Sequence, residues 1–247
     1  MAPNSPVHIG VLIVPPVQLL DISPVDLFAM MTKSYLSACK LPDPLIAQGL
    51  DLKITWISFS GPNTLGKLTA DASIAINAGL DDPSVAPGKL DVLVIPGPDP
   101  GFIPKEEELG FVRAHLAKGA DVLTICSGVF VAGYAGILDG KRATAPRSLL
   151  GPGAPKGMNL REKFADVKWE EKRWSNDGTI WTAGGITNGQ DMAAAYIRQR
   201  WPGVAAETVL RMADVGERAQ EYSTGSTVNN AWWVMNIARA WVGGLVR

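Results

Sequence analysis

Cysteine and histidine are scarce in this chain of 247 residues: two of each, Cys39 and Cys126, His8 and His115. Two cysteines do not make a disulfide framework, and the four residues are not spaced as a metal site. Neither a metal nor an organic cofactor is expected. Basic runs are missing as well, and the formal net charge is -1, so a nucleic-acid partner finds no electrostatic support. No apolar stretch reaches about 18 residues, and the start, MAPNSPVHIGVLIVPP, lacks a basic segment leading into a long apolar one. No membrane partner is expected, and the default setting is cytoplasmic and reducing.

Apolar residues and turn formers are plentiful. The chain is 47% hydrophobic, enough for a substantial core, and its 26 glycines and 18 prolines imply many turns. Strand-like and helix-like segments alternate. Val7 to Val14 is an apolar, β-branched run closed by Pro15-Pro16. Ile22 to Tyr35 reads as one helix, with Ser23 as N-cap and Pro24 at its first position. Leu52 to Phe59 alternates as a strand, and Leu65 to Ile76 reads as a short hairpin. Asp91 to Ile95 is a wholly apolar run after its first residue, bounded by Gly88 and Pro96-Gly97, as a central parallel strand would be. Lys105 to Lys118 reads as a helix, with Glu106, Glu107 and Glu108 at its start and Lys118-Gly119 at its end. Val167 to Trp174 and Thr179 to Ala183 flank Asn176-Asp177-Gly178, a hairpin signal. Thr187 to Trp201 opens on a Thr187-x-x-Gln190 capping box. This order predicts an α/β fold with a mostly parallel sheet, helices on both faces, and ligands at the C-terminal strand ends.

No linker or repeat divides residues 1–216, which read as one domain, with 37–50 as an addition to its core. Residues 217–247 read as a helical extension. Trp232, Trp233, Ile237 and Trp241 fit one helix face, expected to pack on the domain or on a dimer partner. The segment is too short to span a membrane and lacks the basic polar face of an interfacial helix.

Cys126 is the residue that carries chemistry. It stands in ADVLTICSGVFVAGYAGILDG, where an apolar run ending at Ile125 passes through Cys126-Ser127-Gly128 into a helix-like stretch. A lone cysteine in an apolar run is commonly a small buried hydrophobe. A strand-to-helix junction instead lifts the side chain into a crevice, near helix N–H groups that favour thiolate.

The segments LLDISPVDLF (19–28), DVLVIPG (91–97), TICSGVFVAGYAGILDGKRAT (124–144) and TAGGITNGQDMA (182–193) together resemble the ThiJ/PfpI superfamily. That group lies within the class I glutamine amidotransferase-like proteins, whose flavodoxin-like sheet carries a nucleophile elbow; here the elbow residue is Cys126. The four blocks come in the family's order and cover roughly residues 7–215. Within the superfamily the chain is most similar to the isonitrile hydratase branch, in which a hydroxyl residue follows the nucleophile and an aspartate follows the first strand. Ser127 and Asp21 match those positions. The resemblance implies catalytic Cys126, Asp21 and Ser127, substrate contacts from Gly97, Asp99, Gly185 and Ile186, a homodimer, and no cofactor. Without it, Asp21 is equally a helix cap, competing with Ser23 for that place, and Asp99 a turn former between prolines. Asp26 reads as a solvated charge.

Two departures from the superfamily narrow the chemistry. Its presumed peptidases place a histidine directly after the nucleophile, where this chain has Ser127; other members have one where this chain reads Ala145-Pro146-Arg147. His8 and His115 lie in other segments, so a Cys–His pair is hard to assemble. Family members also commonly follow the fourth-strand proline with two glycines, the second lending an N–H to an anion hole. Here that second position is Pro98, which has no N–H. The remaining donors would be Gly97 and the Ser127 N–H and hydroxyl. The expected reaction is attack of Cys126 on the terminal carbon of a small-molecule isonitrile, with Asp21 relaying protons and Ser127 holding water or imidate. Two other readings stay open: a cysteine-dependent enzyme acting on reactive carbonyls, and a non-catalytic sensor whose Cys126 is reversibly oxidised.

Overall fold

The computed structural model describes residues 6–151 and 153–245. Along the chain come β1 (Val7–Leu12), a 3-10 turn (Leu19–Ile22), α1 (Pro24–Met30), α2 (Lys33–Ala38), α3 (Asp43–Ile46) and β2 (Leu52–Ile57). Next are β3 (Leu65–Lys67), β4 (Ser73–Ala75), β5 (Val92–Ile95), α4 (Glu106–Ala117), β6 (Asp121–Ile125) and α5 (Gly128–Tyr134). The chain continues with β7 (Arg142–Ala143), α6 (Leu160–Lys163), β8 (Lys168–Trp169), β9 (Trp174–Asp177) and β10 (Ile180–Ala183). Three helices close it: α7 (Asn188–Arg200), α8 (Val204–Met212) and α9 (Ser226–Leu245).

Six strands form the central sheet in the order β2-β1-β5-β6-β10-β9. Every neighbouring pair is parallel except β10–β9, the edge hairpin that turns through Gly178 at positive φ. The expected α/β architecture is therefore the observed one. Alternation along the strands supplies both faces of the core. Ile9, Val11, Val94 and Ile125 point to the layer holding α1, α7 and α8; Leu12, Leu93, Ile95 and Val122 point to the layer holding α4 and α5.

Local chemistry departs from the sequence reading in three places. The single helix expected over Ile22 to Tyr35 is broken into α1 and α2, because Thr32 adopts extended dihedrals and accepts the Tyr35 N–H with its hydroxyl at 3.2 Å, starting α2 afresh. Ser23 is not a cap: it is helical itself and its hydroxyl donates to the Leu20 carbonyl. The Thr187–Gln190 box does not form either. The Gln190 amide donates to the Ser23 hydroxyl instead, tying α7 to α1, and Thr187 receives Arg218. The sequence reading did not anticipate α8. At the far end, α9 leaves Val228, Trp232, Val234, Ile237 and Trp241 exposed on the single chain.

Candidate active site

β6 is buried from Val122 to Ile125 and hydrogen-bonded on both edges, so its C-terminus is rigidly placed. Cys126 follows with φ of +54°, in the left-handed region, and its N–H reaches across to the Ala183 carbonyl at 3.2 Å. For a residue with a Cβ that conformation costs about 1–3 kcal/mol and persists only where surrounding contacts enforce it. Gly128 lets α5 start at once: a Cβ there would stand 2.1 Å from the Ile95 carbonyl oxygen. This is the sharp strand-to-helix turn expected, with the sulfur raised at the C-terminal edge of the sheet.

Asp21 sits in the 3-10 turn after β1, and its side chain is fully buried. Its Oδ2 accepts the Gly97 N–H at 3.0 Å, while Oδ1 has no hydrogen-bond partner among the described residues. It caps no helix. Burial lifts its pKa to about 7, against the opposing pull of the Gly97 N–H and the Cys126 thiol. Burial and then the charge of Asp21 in turn push the Cys126 thiol up to about 12, while the Ser127 N–H and hydroxyl act the other way. The expectation of a resting thiolate is thereby corrected. The helix-terminal donors are in place, but burial and a facing carboxylate outweigh them. What results is a protonated thiol beside a carboxyl group that ionises near neutrality.

Ser127 is buried, and its hydroxyl donates to the Pro98 carbonyl at 2.5 Å. Gly97 lies between these groups. A Cβ on it would come within 2.4 Å of Asp21 Oδ2 and 2.5 Å of Ser127 Oγ, so only glycine fits without displacing one of them. Its N–H, counted in the sequence reading as a donor free for an anion, is already spent on Asp21. With Pro98 next, neither of the two residues after Pro96 offers a free amide to a developing oxyanion.

Asp99 stands apart: it is exposed, its carboxylate accepts the Gly101 N–H at 2.8 Å and its own N–H donates to Pro16, the pattern of a turn. Gly185 and Ile186 follow β10 beside the Ala183 carbonyl that holds Cys126, and both are partly exposed there. Asp26 is exposed. His8 is held by Thr55 and the Lys89 carbonyl, and His115 is buried against Phe111; both lie toward the N-terminal ends of the strands, opposite Cys126. Among the described residues no group of three or more His, Cys, Asp or Glu side chains could hold a metal ion.

Sequence reasoning missed one neighbouring cluster. The Asn188 amide donates to the Tyr222 hydroxyl at 2.7 Å, and that hydroxyl lies 3.0 Å from where a Gly184 Cβ would be. The guanidinium groups of Arg147 and Arg173 stand 4.6 Å and 4.7 Å from the Tyr222 ring centroid. Tyr222 belongs to the segment after the α/β core, in a loop where neither periodicity nor spacing marks it.

A cysteine on a left-handed strand-to-helix turn, at the C-terminal edge of a parallel sheet and facing a buried carboxyl group, places the chain among α/β proteins with a mostly parallel central sheet. The DJ-1/PfpI family model matches residues 38–199, and the chain belongs to that family. It is similar to the isonitrile hydratase of Pseudomonas putida, 31% identical over 140 residues, which cover 56% of this chain and 57% of that protein. The match thus spans little more than half the length of that curated relative. In fold it is similar to a ThiJ/PfpI family protein from Pseudomonas syringae (TM-score 0.65, 19% identity, 90% of this chain and 79% of that one). It is also similar to DJ-1beta of Drosophila melanogaster (TM-score 0.65, 17% identity, 85% and 99%).

Proposed function

We propose that this chain is a cofactor-independent isonitrile hydratase, adding water to R–N≡C to give an N-substituted formamide. The observation that carries the reading is the pairing of Cys126 with a carboxyl group whose pKa is about 7, in a site where neither Gly97 nor Pro98 lends an N–H to an oxyanion. Hydrolysis through a tetrahedral oxyanion depends heavily on such donors; losing one costs on the order of 3 kcal/mol. An isonitrile develops its negative charge on carbon and nitrogen and needs a proton delivered there instead. Asp21 is suited to that: ionised, it accepts the thiol proton, and near neutrality it returns it with little driving force lost.

The sulfur of Cys126 forms a bond to the terminal carbon as Asp21 takes the thiol proton and passes it to that carbon. The product of this step is the thioimidate R–N=CH–S–Cys126. Water adds to the same carbon, its proton moving to nitrogen through Asp21. The C–S bond then breaks, the hydroxyl proton returns through Asp21 to sulfur, and R–NH–CHO leaves. The Ser127 hydroxyl, now on the Pro98 carbonyl, is placed to turn toward sulfur while it carries charge. Gly185 and Ile186 are proposed to wall the crevice on the β10 side. Asp99 is left to its turn.

The similarity to a named isonitrile hydratase supports this choice of substrate class; the raised thiol pKa weighs against a sensor, which works through an exposed thiolate. The reading also takes the protein as a cytoplasmic homodimer in which α9 is covered by the partner. Val228, Trp232, Trp233, Val234, Met235, Ile237 and Trp241 all lie open on the single chain, and such a helix needs a surface to cover. Among the described residues no helix is long and apolar enough to cross a membrane. A panel of alkyl and aryl isonitriles and of dicarbonyls, given to purified protein, tests the assignment. Formamide formed from isonitriles alone supports it; turnover of dicarbonyls alone, or of neither, overturns it.

A further inference from the structure

Tyr222 draws two arginines to one place. The Arg147 and Arg173 guanidinium groups both stack within 5 Å of its ring centroid, the geometry of a cation–π contact. Stacking occupies guanidinium faces and leaves N–H edges for an acceptor. Among the described residues only Glu171 pairs with these charges, at 3.7 Å from Arg147 Nε, and it is shared with Arg161. Among the described residues no carboxylate lies within 4 Å of Arg173. The Nε atoms of both Arg147 and Arg173 are buried and have no hydrogen-bond partner among the described residues; Arg147, only 10% exposed, makes one long bond to the Thr224 hydroxyl at 3.5 Å. Two buried Nε donors without a hydrogen bond, beside three arginines with one glutamate among them, describe a site short of an anion.

The place is next to the crevice. The Arg173 carbonyl accepts the Gly184 N–H, the Tyr222 hydroxyl abuts Gly184, and the preceding Ala183 carbonyl holds the Cys126 N–H. Arg147 also lines an apolar cavity of about 290 Å³ with Leu149, Pro155, Trp233, Val234 and Ile237. A ligand reaching from the crevice across Arg173 and Arg147 would thus meet a monoanion site and then an apolar wall.

We propose that Arg147 and Arg173 bind the carboxylate of an amphipathic substrate, so that the preferred isonitrile carries a carboxylate and an apolar body. The choice of substrate rests on the isonitrile reading; the carboxylate site itself does not. Two measurements keep them distinguishable. The first is equilibrium binding of unreactive 4-phenylbutyrate and of its amide. The wild-type protein is expected to bind the acid at least about tenfold more tightly than the amide, a charge-assisted bond being the difference. Arg173→Gln is expected to erase that preference, and Arg173→Lys to keep part of it. Equal affinity for acid and amide in the wild type, or an unchanged preference in a folded Arg173→Gln protein, overturns the site. The second is the ratio of kcat/KM for isocyano carboxylates over their methyl esters, expected above about ten in the wild type and near one in Arg173→Gln. Esters turned over as well as acids overturn the substrate preference and leave the hydratase standing. Neither turned over, with acid binding intact, overturns the hydratase and leaves the carboxylate site.

Discussion

The Cys126 crevice and helix α9 break the usual division of polar and apolar residues in opposite directions. At the crevice a carboxyl group is fully buried, with one oxygen unbonded, beside a cysteine in a left-handed conformation. On α9 Trp232, Trp233 and Trp241 stand in the open, 46% to 74% exposed. The first anomaly is held within the chain: Gly97, Ser127, Ala183 and Ile95 crowd the elbow and enforce it. The second is not answered within the described chain. Strain enforced from inside points to chemistry, and apolar surface left open points to a second molecule. The difference separates a site the chain builds alone from one that assembly is proposed to complete.

The sharpest way to break the comparison is at Cys126 itself. Cys126→Ser is expected to lose turnover on isonitriles by on the order of 10⁴-fold or more while melting as the wild type does, since a serine there lacks the sulfur nucleophile. Activity within tenfold of wild type would remove covalent catalysis. Gly97→Ala comes next. The new Cβ must displace Asp21 or Ser127, so kcat/KM should fall about 10²-fold and stability by about 1–3 kcal/mol, read by denaturant unfolding. An unaffected variant would mean the crowding around Gly97 is easily relieved.

Ending the chain at Gly225 tests the other region. Size-exclusion chromatography with light scattering should show the dimer lost, while the Tyr222 cluster and the crevice remain. A soluble, active, undisturbed dimer would contradict the role proposed for α9. A further effect is expected on stability through Asp21. Its pKa rises from 3.8 to about 7 on folding, so the folded state holds the extra proton. Wild-type stability is therefore reduced above about pH 7 and recovers as pH falls from there toward 4. Asp21→Asn should melt higher than wild type at pH 8, with the gap closing by pH 5. A gap that widens on acidification would reverse the sign assigned to burial.

Much of the sheet was legible because its central strands are apolar runs bounded by glycine and proline: Val92 to Ile95, Val122 to Ile125 and Ile180 to Ala183 need no tertiary information to be recognised. The elbow was legible too, since Cys126-Ser127-Gly128 stands where the run stops. Caps were not. Ser23, Thr32 and Thr187 are equally good cap residues by composition, and the choice fell on Thr32, whose hydroxyl reaches the Tyr35 N–H, while Ser23 bonds the Gln190 side chain, 167 residues away. The protonation state of Cys126 was misread for a related reason. Proximity to helix donors is local and visible in sequence, whereas burial and the facing Asp21 are tertiary. The arginine pair was invisible because Tyr222, Arg147 and Arg173 meet only through the fold.

The central claim is that Asp21 exchanges protons with Cys126 and the isonitrile carbon. The direct test is kcat/KM for an isonitrile from pH 5 to 9, in wild type and in Asp21→Asn. The wild-type value should rise to a plateau through an apparent pKa of about 7, and the variant should lie about 10²–10⁴-fold lower with that limb gone. A wild-type profile flat through pH 7, or a variant that keeps the limb, would contradict it.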